Sequence, residues 1–134
     1  MNGRFVLAMG IASGCASGPA SGSWSGECAL VDPYATSDAE YAIDLGLELE
    51  QRGDELGGTG VAGWGGFDYD GELSGTVTQE VFAFDLVSVR TDDFGTYEVV
   101  FGFEAVLDGD RMTGACGVTS EGTGTLDGAL SLRR

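Results

Sequence analysis

Along most of this 134-residue chain, apolar and polar residues alternate with a period of two. Ile43, Leu45, Leu47 and Leu49 are interleaved with Asp44, Gly46, Glu48 and Glu50. A helix would scatter those side chains around its circumference, whereas a strand puts them on one face. Tyr97, Val99, Phe101, Phe103 and Leu107 repeat the pattern with Glu98 and Glu104 opposite, and Leu126, Leu130 and Leu132 do so with Asp127 and Ser131 opposite. The run 81–89 is apolar on both faces apart from Asp85 and Ser88, which predicts the most covered strand or one whose outer face meets something. Arg52-Gly53-Asp54-Glu55, Asp70-Gly71, Asp92-Asp93-Phe94-Gly95, Asp108-Gly109-Asp110 and Glu121-Gly122 are hairpin punctuation. Together these signals predict eight strands, at 22–30, 40–51, 56–63, 67–78, 80–90, 96–107, 111–119 and 123–133. The segment 31–39, with Asp32-Pro33 and Ser37-Asp38, is expected to be a longer loop carrying one short helical turn.

Sequential strands joined by hairpins make a meander, and a meander of eight closes into a barrel without exposed edges. The expected fold is therefore all-β: an eight-stranded antiparallel up-and-down barrel. Gly46, Gly102, Gly114 and Gly128, inside strands, suit its sharp bends. Parity points Trp24, Ile43, Leu45, Leu47, Leu49, Leu73, Val77, Phe82, Phe84, Leu86, Tyr97, Val99, Phe101, Phe103, Met112, Leu126, Leu130 and Leu132 inward. A barrel of this size holds packed side chains or one small ligand. Specific ligand sites place a few polar groups among apolar walls. Tyr97 supplies the single hydroxyl of this set, with Tyr69 near a rim. The interior is expected to be mostly filled, with binding at the open end or on the outer acidic face. Phe82, Phe84, Tyr97, Phe101 and Phe103 are the candidate lining of any apolar ligand site.

Charge removes several function classes. The chain carries 22 Asp and Glu against 6 Arg, with no Lys and no His, for a net charge of -16. No basic patch exists to meet the phosphates of nucleic acid or anionic headgroups. Without His, a serine nucleophile lacks its usual base and zinc its commonest ligand. Neither an enzyme nor a cofactor is expected. Asp44, Glu48, Glu50, Asp85, Glu98 and Glu104 form an outward acidic face able to steer a basic partner. Asp68, Asp70 and Glu72 have the acid spacing that starts a calcium loop. The remaining ligands of such a loop are missing, so these residues are read as a hairpin turn and at most a weak cation site.

The first residues resemble a bacterial lipoprotein signal. Arg4 precedes an apolar stretch from Phe5 to Ala12, too short to span a bilayer, which needs about 20 residues. Ala12-Ser13-Gly14-Cys15 then stands where such signals place the lipid-modified cysteine. The resemblance implies a signal over 1–14, acylation of Cys15, a flexible tether over 15–21 and a barrel over 22–134. Ala16, where an aspartate would retain the protein, implies the outer membrane or cell surface. An ordinary secretory signal cut within 16–21 is the alternative. Either way, export to an oxidising compartment makes Cys28 and Cys116 a disulfide pair, since an up-and-down barrel brings its first and late strands together.

Gly22-Ser23-Trp24 at the start of the first strand resembles the GxW signature of lipocalins and the wider calycin group. In that group the Trp closes one barrel end under an Arg from the last strand, a role that falls here to Arg133 or Arg134. Avidin-type barrels share the signature, but Trp24 and Trp64 are too few for a biotin box. Small bacterial barrel inhibitors of secreted proteases share the start and layout too. Three functions follow as expectations: an interaction module engaging a protein partner, a carrier of a small apolar ligand, and a protease inhibitor acting through an arm at 16–25.

Overall fold

The computed structural model describes residues 18–31, 42–120 and 124–134. Eight antiparallel strands form one closed up-and-down barrel: β1 (Gly22–Val31), β2 (Ala42–Arg52), β3 (Glu55–Trp64), β4 (Phe67–Thr78), β5 (Val81–Asp92), β6 (Gly95–Asp108), β7 (Arg111–Ser120) and β8 (Gly124–Arg133). Each strand pairs with the next, and β8 returns to β1 with Cys28 opposite Leu130. The strand ends fall within two residues of those read from the alternation.

Tight turns lie at Gly53-Asp54, Gly65-Gly66, Gln79-Glu80, Asp93-Phe94 and Gly109-Asp110. Asp70-Gly71 is no turn: it lies inside β4, paired with Val61 and Gly60. The hairpin turns at Gly65-Gly66 instead, where both residues have the positive φ that glycine tolerates. Gln79-Glu80 takes the same left-handed region with two non-glycine residues, at φ 50° and 67°, which is why no glycine signal marked it. The Glu121-Gly122 turn and the loop at 32–39 lie outside the described residues.

The interior is packed. Trp24, Phe101, Ile43, Leu47, Leu86, Met112 and Leu132 are fully buried, and Phe84 meets Phe103 ring to ring at 5.0 Å. Every position assigned inward by parity is buried or packed against the core, and Leu30, Leu56, Ala62, Ala105 and Val118 join them. Over 81–88, β5 has the most covered outer face among the described residues. Val81, Ala83 and Val87 on its outer side are half-buried, whereas Val89 is exposed. Ser88, on the inner side, is 1% exposed, and its hydroxyl has no hydrogen-bond partner among the described residues. Removing an unpaired buried hydroxyl relieves a desolvation cost, so Ser88→Ala is expected to leave stability unchanged or raise it by up to about 1 kcal/mol in urea denaturation.

Cys28 and Cys116 form a disulfide with their Cα atoms 6.0 Å apart. The bridge joins β1 to β7, which are not neighbours, because β8 runs between them. Strands two apart in a flat sheet lie about 9.5 Å from each other. The wall is therefore folded sharply at β8. Gly128, opposite Cys116, sits in that crease, where a Cβ would run into the carbonyl oxygen of Ala29.

Candidate functional site

The two barrel ends differ in construction. One end gathers the turns at Gly53-Asp54, Gln79-Glu80 and Gly109-Asp110, together with residues 18–21 and Arg134. It is sealed. Ala20 is fully buried and its N–H donates to Gln51 Oε1 at 3.0 Å, while its carbonyl accepts from Trp24 Nε1 at 2.8 Å. Gln51, itself buried, also accepts from the Gly18 N–H through its carbonyl and donates from Nε2 to the Gly53 carbonyl. Arg134 stacks over the Trp24 ring at 4.4 Å and donates to the carbonyls of Ser21 and Pro19 at 2.8 Å each. Arg133 does not share this role: it is exposed on the outer side of β8, paired with Ser25.

Residues 18–21 are thus a lid on the barrel rather than part of a flexible tether. Small residues suit a tether in sequence, but they are also what a lid lying on an indole requires. Residues 18–25, most of the proposed inhibitory arm, are tied into this lid and β1. Gln51→Ala would leave the buried Ala20 N–H unpaired, and a loss of about 1–3 kcal/mol is expected in thermal or urea unfolding. Gln51→Glu keeps that acceptor but buries a carboxylate and sets an oxygen against the Gly53 carbonyl, so it should lose at least as much. Beside the lid an open notch of about 620 Å³ has a floor of Val77, Phe82 and Leu107 and a rim that includes Asp54 and Glu80. It opens in the barrel mouth between the lid and the inward-facing side chains of β4, β5 and β6.

Among the described residues, the other end carries the turns at Gly65-Gly66 and Asp93-Phe94. Here the inward positions of the last strand turns form a hollow of about 230 Å³, lined by Trp64, Tyr69, Tyr97, Val99, Val118, Ser120 and Leu126. Phe101 forms its base, meeting Tyr69 at 5.6 Å and Trp64 at 6.5 Å, both edge to face. The alternation of β3 also points Trp64 inward, in step with Leu56, Gly60 and Ala62. Arg90 follows the inward parity of β5 and lies over the rings of Tyr69 at 4.8 Å and Phe67 at 5.1 Å. Partial burial, and then the neighbouring Asp92 carboxylate, push the Tyr97 phenol above its usual value of 10, so it stays protonated well past neutral pH.

Around the hollow the surface is apolar and acidic together. Phe94 is 98% exposed and Phe67 57%, with Val31 and Val89 also exposed at this end. Asp68, Asp70, Asp92 and Asp93 stand among them, all exposed. Arg52, Arg111, Arg133 and Arg134 lie at the sealed end, which leaves Arg90 as the one arginine at the open end among the described residues.

The five candidate lining residues do not share one cavity. Phe84 and Phe103 fill the core, Phe101 underlies the hollow, Phe82 floors the notch at the opposite end, and only Tyr97 lines the hollow. Asp68, Asp70 and Glu72 lie exposed along one side of β4, where the strand rise spaces them instead of converging them. No group of three or more potential metal ligands occurs among the described residues. Asp44, Glu48, Glu50, Asp85, Glu98 and Glu104 all point outward, as their parity required. Cys15 lies outside the described residues. The chain matches no protein-family model, no curated protein and no solved structure.

Proposed function

We propose that this chain is an exported, lipid-anchored, non-catalytic β-barrel module that binds its target through the open end. The observation that carries this reading is the contrast between the ends. One carries a hydrogen-bonded lid with an acid-rimmed notch beside it; the other keeps an aromatic hollow and exposes Phe67 and Phe94. Exposed aromatic residues of this size, grouped at one place, mark interaction sites. The chain has no His to act as a general base, and the carboxylates among the described residues are spread over the outer wall, which supports the non-catalytic reading. Acylation of Cys15 would hold the lid end close to the membrane, because three residues reach about 10 Å from Cys15 to Gly18. The open end would then face away from the lipid.

Two measurements test the two halves of this reading. Cys15→Ser should move the protein from the membrane fraction to the soluble fraction; unchanged membrane association would refute the anchor. Nile red, a neutral dye that brightens in apolar surroundings, should light up on the wild-type protein. Phe67→Asp with Phe94→Asp should abolish the signal. No dye site, or a site indifferent to these substitutions, would remove the open end as the binding surface.

A further inference from the structure

The geometry points to a basic protein partner for the open end, one that inserts a single apolar side chain into the Trp64–Tyr69–Tyr97 hollow and sets lysines or arginines against Asp68, Asp70, Asp92 and Asp93. This inference rests on the open end being the binding surface and adds what binds there.

Size is the first argument. Pockets that bury a drug-sized molecule run from about 300 Å³ upward. The hollow, at about 230 Å³, falls below that range, and Phe101 and the filled core beneath it block any extension inward. A long acyl chain or a multi-ring ligand cannot be enclosed in it and can lie only against the rim, whereas one aromatic or branched aliphatic side chain is enclosed. Interfaces between proteins are built around such anchors, each seated in a preformed pocket.

The second argument is the flat apolar surface outside the hollow. Phe94 and Phe67 project from adjacent turns and contribute nothing to a ligand enclosed in the hollow. They do contribute to a partner broad enough to lie across the rim. Arg90 holds the rings of Phe67 and Tyr69 on one side of the mouth, so that part of the surface is preformed.

Charge supplies the third argument and selects the partner. The exposed aspartates at this end face a single arginine, already stacked on aromatic rings, while the other described arginines sit at the lid. An anionic or neutral partner surface would have to bring its own charge against this rim. A cationic one is drawn to it, and the attraction weakens with salt.

Short soluble peptides test this directly. One carries lysines, glycines and serines around a central Phe; the second replaces that Phe with Ala; the third replaces the lysines with glutamates. Binding is read from the emission of Trp64, with Trp24, sealed under the lid, as the constant background. Trp24→Phe supplies a protein in which Trp64 emits alone. The Lys/Phe peptide should bind, the Ala version at least about tenfold more weakly, and the Glu version undetectably. Asp68→Asn with Asp93→Asn should weaken the Lys/Phe peptide at least about threefold, and added salt should act in the same direction. Glu55→Gln with Glu80→Gln, the same charge change at the lid end, should leave binding unchanged.

Equal affinity for the Phe and Ala peptides would overturn the anchor. Equal losses from the two pairs of charge substitutions would reduce the effect to the overall charge of the protein and overturn the rim. A protein that lights up Nile red at the open end yet ignores the Lys/Phe peptide would overturn the basic partner while leaving the open end as the binding surface. Failure of the dye as well would remove both.

Discussion

Cys28→Ala combined with Cys116→Ala is expected to lower the free energy of unfolding by about 4 kcal/mol, measured by urea denaturation. The two cysteines are 88 residues apart in sequence, so the bridge removes a large set of open conformations from the unfolded chain. Domains of this size are stable by about 5–15 kcal/mol, so the loss takes a large share and should bring the double variant close to unfolding at physiological temperature. The pair is buried, so alanine also leaves space behind. Reducing the wild-type protein separates the two effects: if the cross-link dominates, the reduced protein should fall nearly as far as the variant. A loss below about 1 kcal/mol in both would show that the closed sheet alone holds β1 and β7 in place.

Trp24→Ala should cost about 3–5 kcal/mol, the range for truncating a large buried aromatic residue. Trp24 is 2% exposed, donates to the Ala20 carbonyl and carries the guanidinium of Arg134 on its ring. Its removal opens the sealed end as well as emptying the core. Amide exchange should therefore accelerate first at Ala20 and Gln51, the two ends of the lid's hydrogen bonds, before the rest of the sheet responds. Trp24→Phe keeps most of the packing but leaves the Ala20 carbonyl unpaired; about 1–3 kcal/mol is the expected loss. Fast exchange at the lid with unchanged global stability would mean that the lid rests on the barrel without supporting it.

The barrel was legible because its cause is local. Leu45, Leu47 and Leu49 must share a side if the chain is extended, and no other regular structure buries all of them. The closed ring followed from eight such segments joined by short turns. What escaped has no hydropathy signature. The lid is held through the backbone of residues 18–21, and Gly-Pro-Ala-Ser looks the same whether it is docked or free. Gln51 and Arg90 stand at inward positions where a polar side chain breaks the pattern, and each works because of a partner distant in sequence: Ala20 for the first, Tyr69 for the second. The turn at Asp70-Gly71 was misread because the composition suits a turn, although the strand around it runs on from 67 to 78. Of the residues lining the hollow, the alternation makes Tyr97 legible and leaves Trp64 obscure. The parity of β3 carried that information, but the glycines between Leu56 and Trp64 thin out the alternation. The distinction between Arg133 and Arg134 rests on one residue of parity beyond Leu132, the last apolar position of β8.

The bridge from β1 to β7 also governs how the molecule responds to force. Both ends of the described chain lie at the lid, so a pull on them loads the β1–β8 seam first. Once the seam parts, only the segment before Cys28 and the segment after Cys116 can lengthen, because the bond passes the tension directly from one to the other. Strands β2 to β6 lie wholly within the covalent loop and carry none of it. An oxidised molecule stretched by its ends therefore gives up its first strand and its last and then stops, with most of its length still shielded. In the reduced molecule nothing interrupts the tear, and the chain pays out to its full contour.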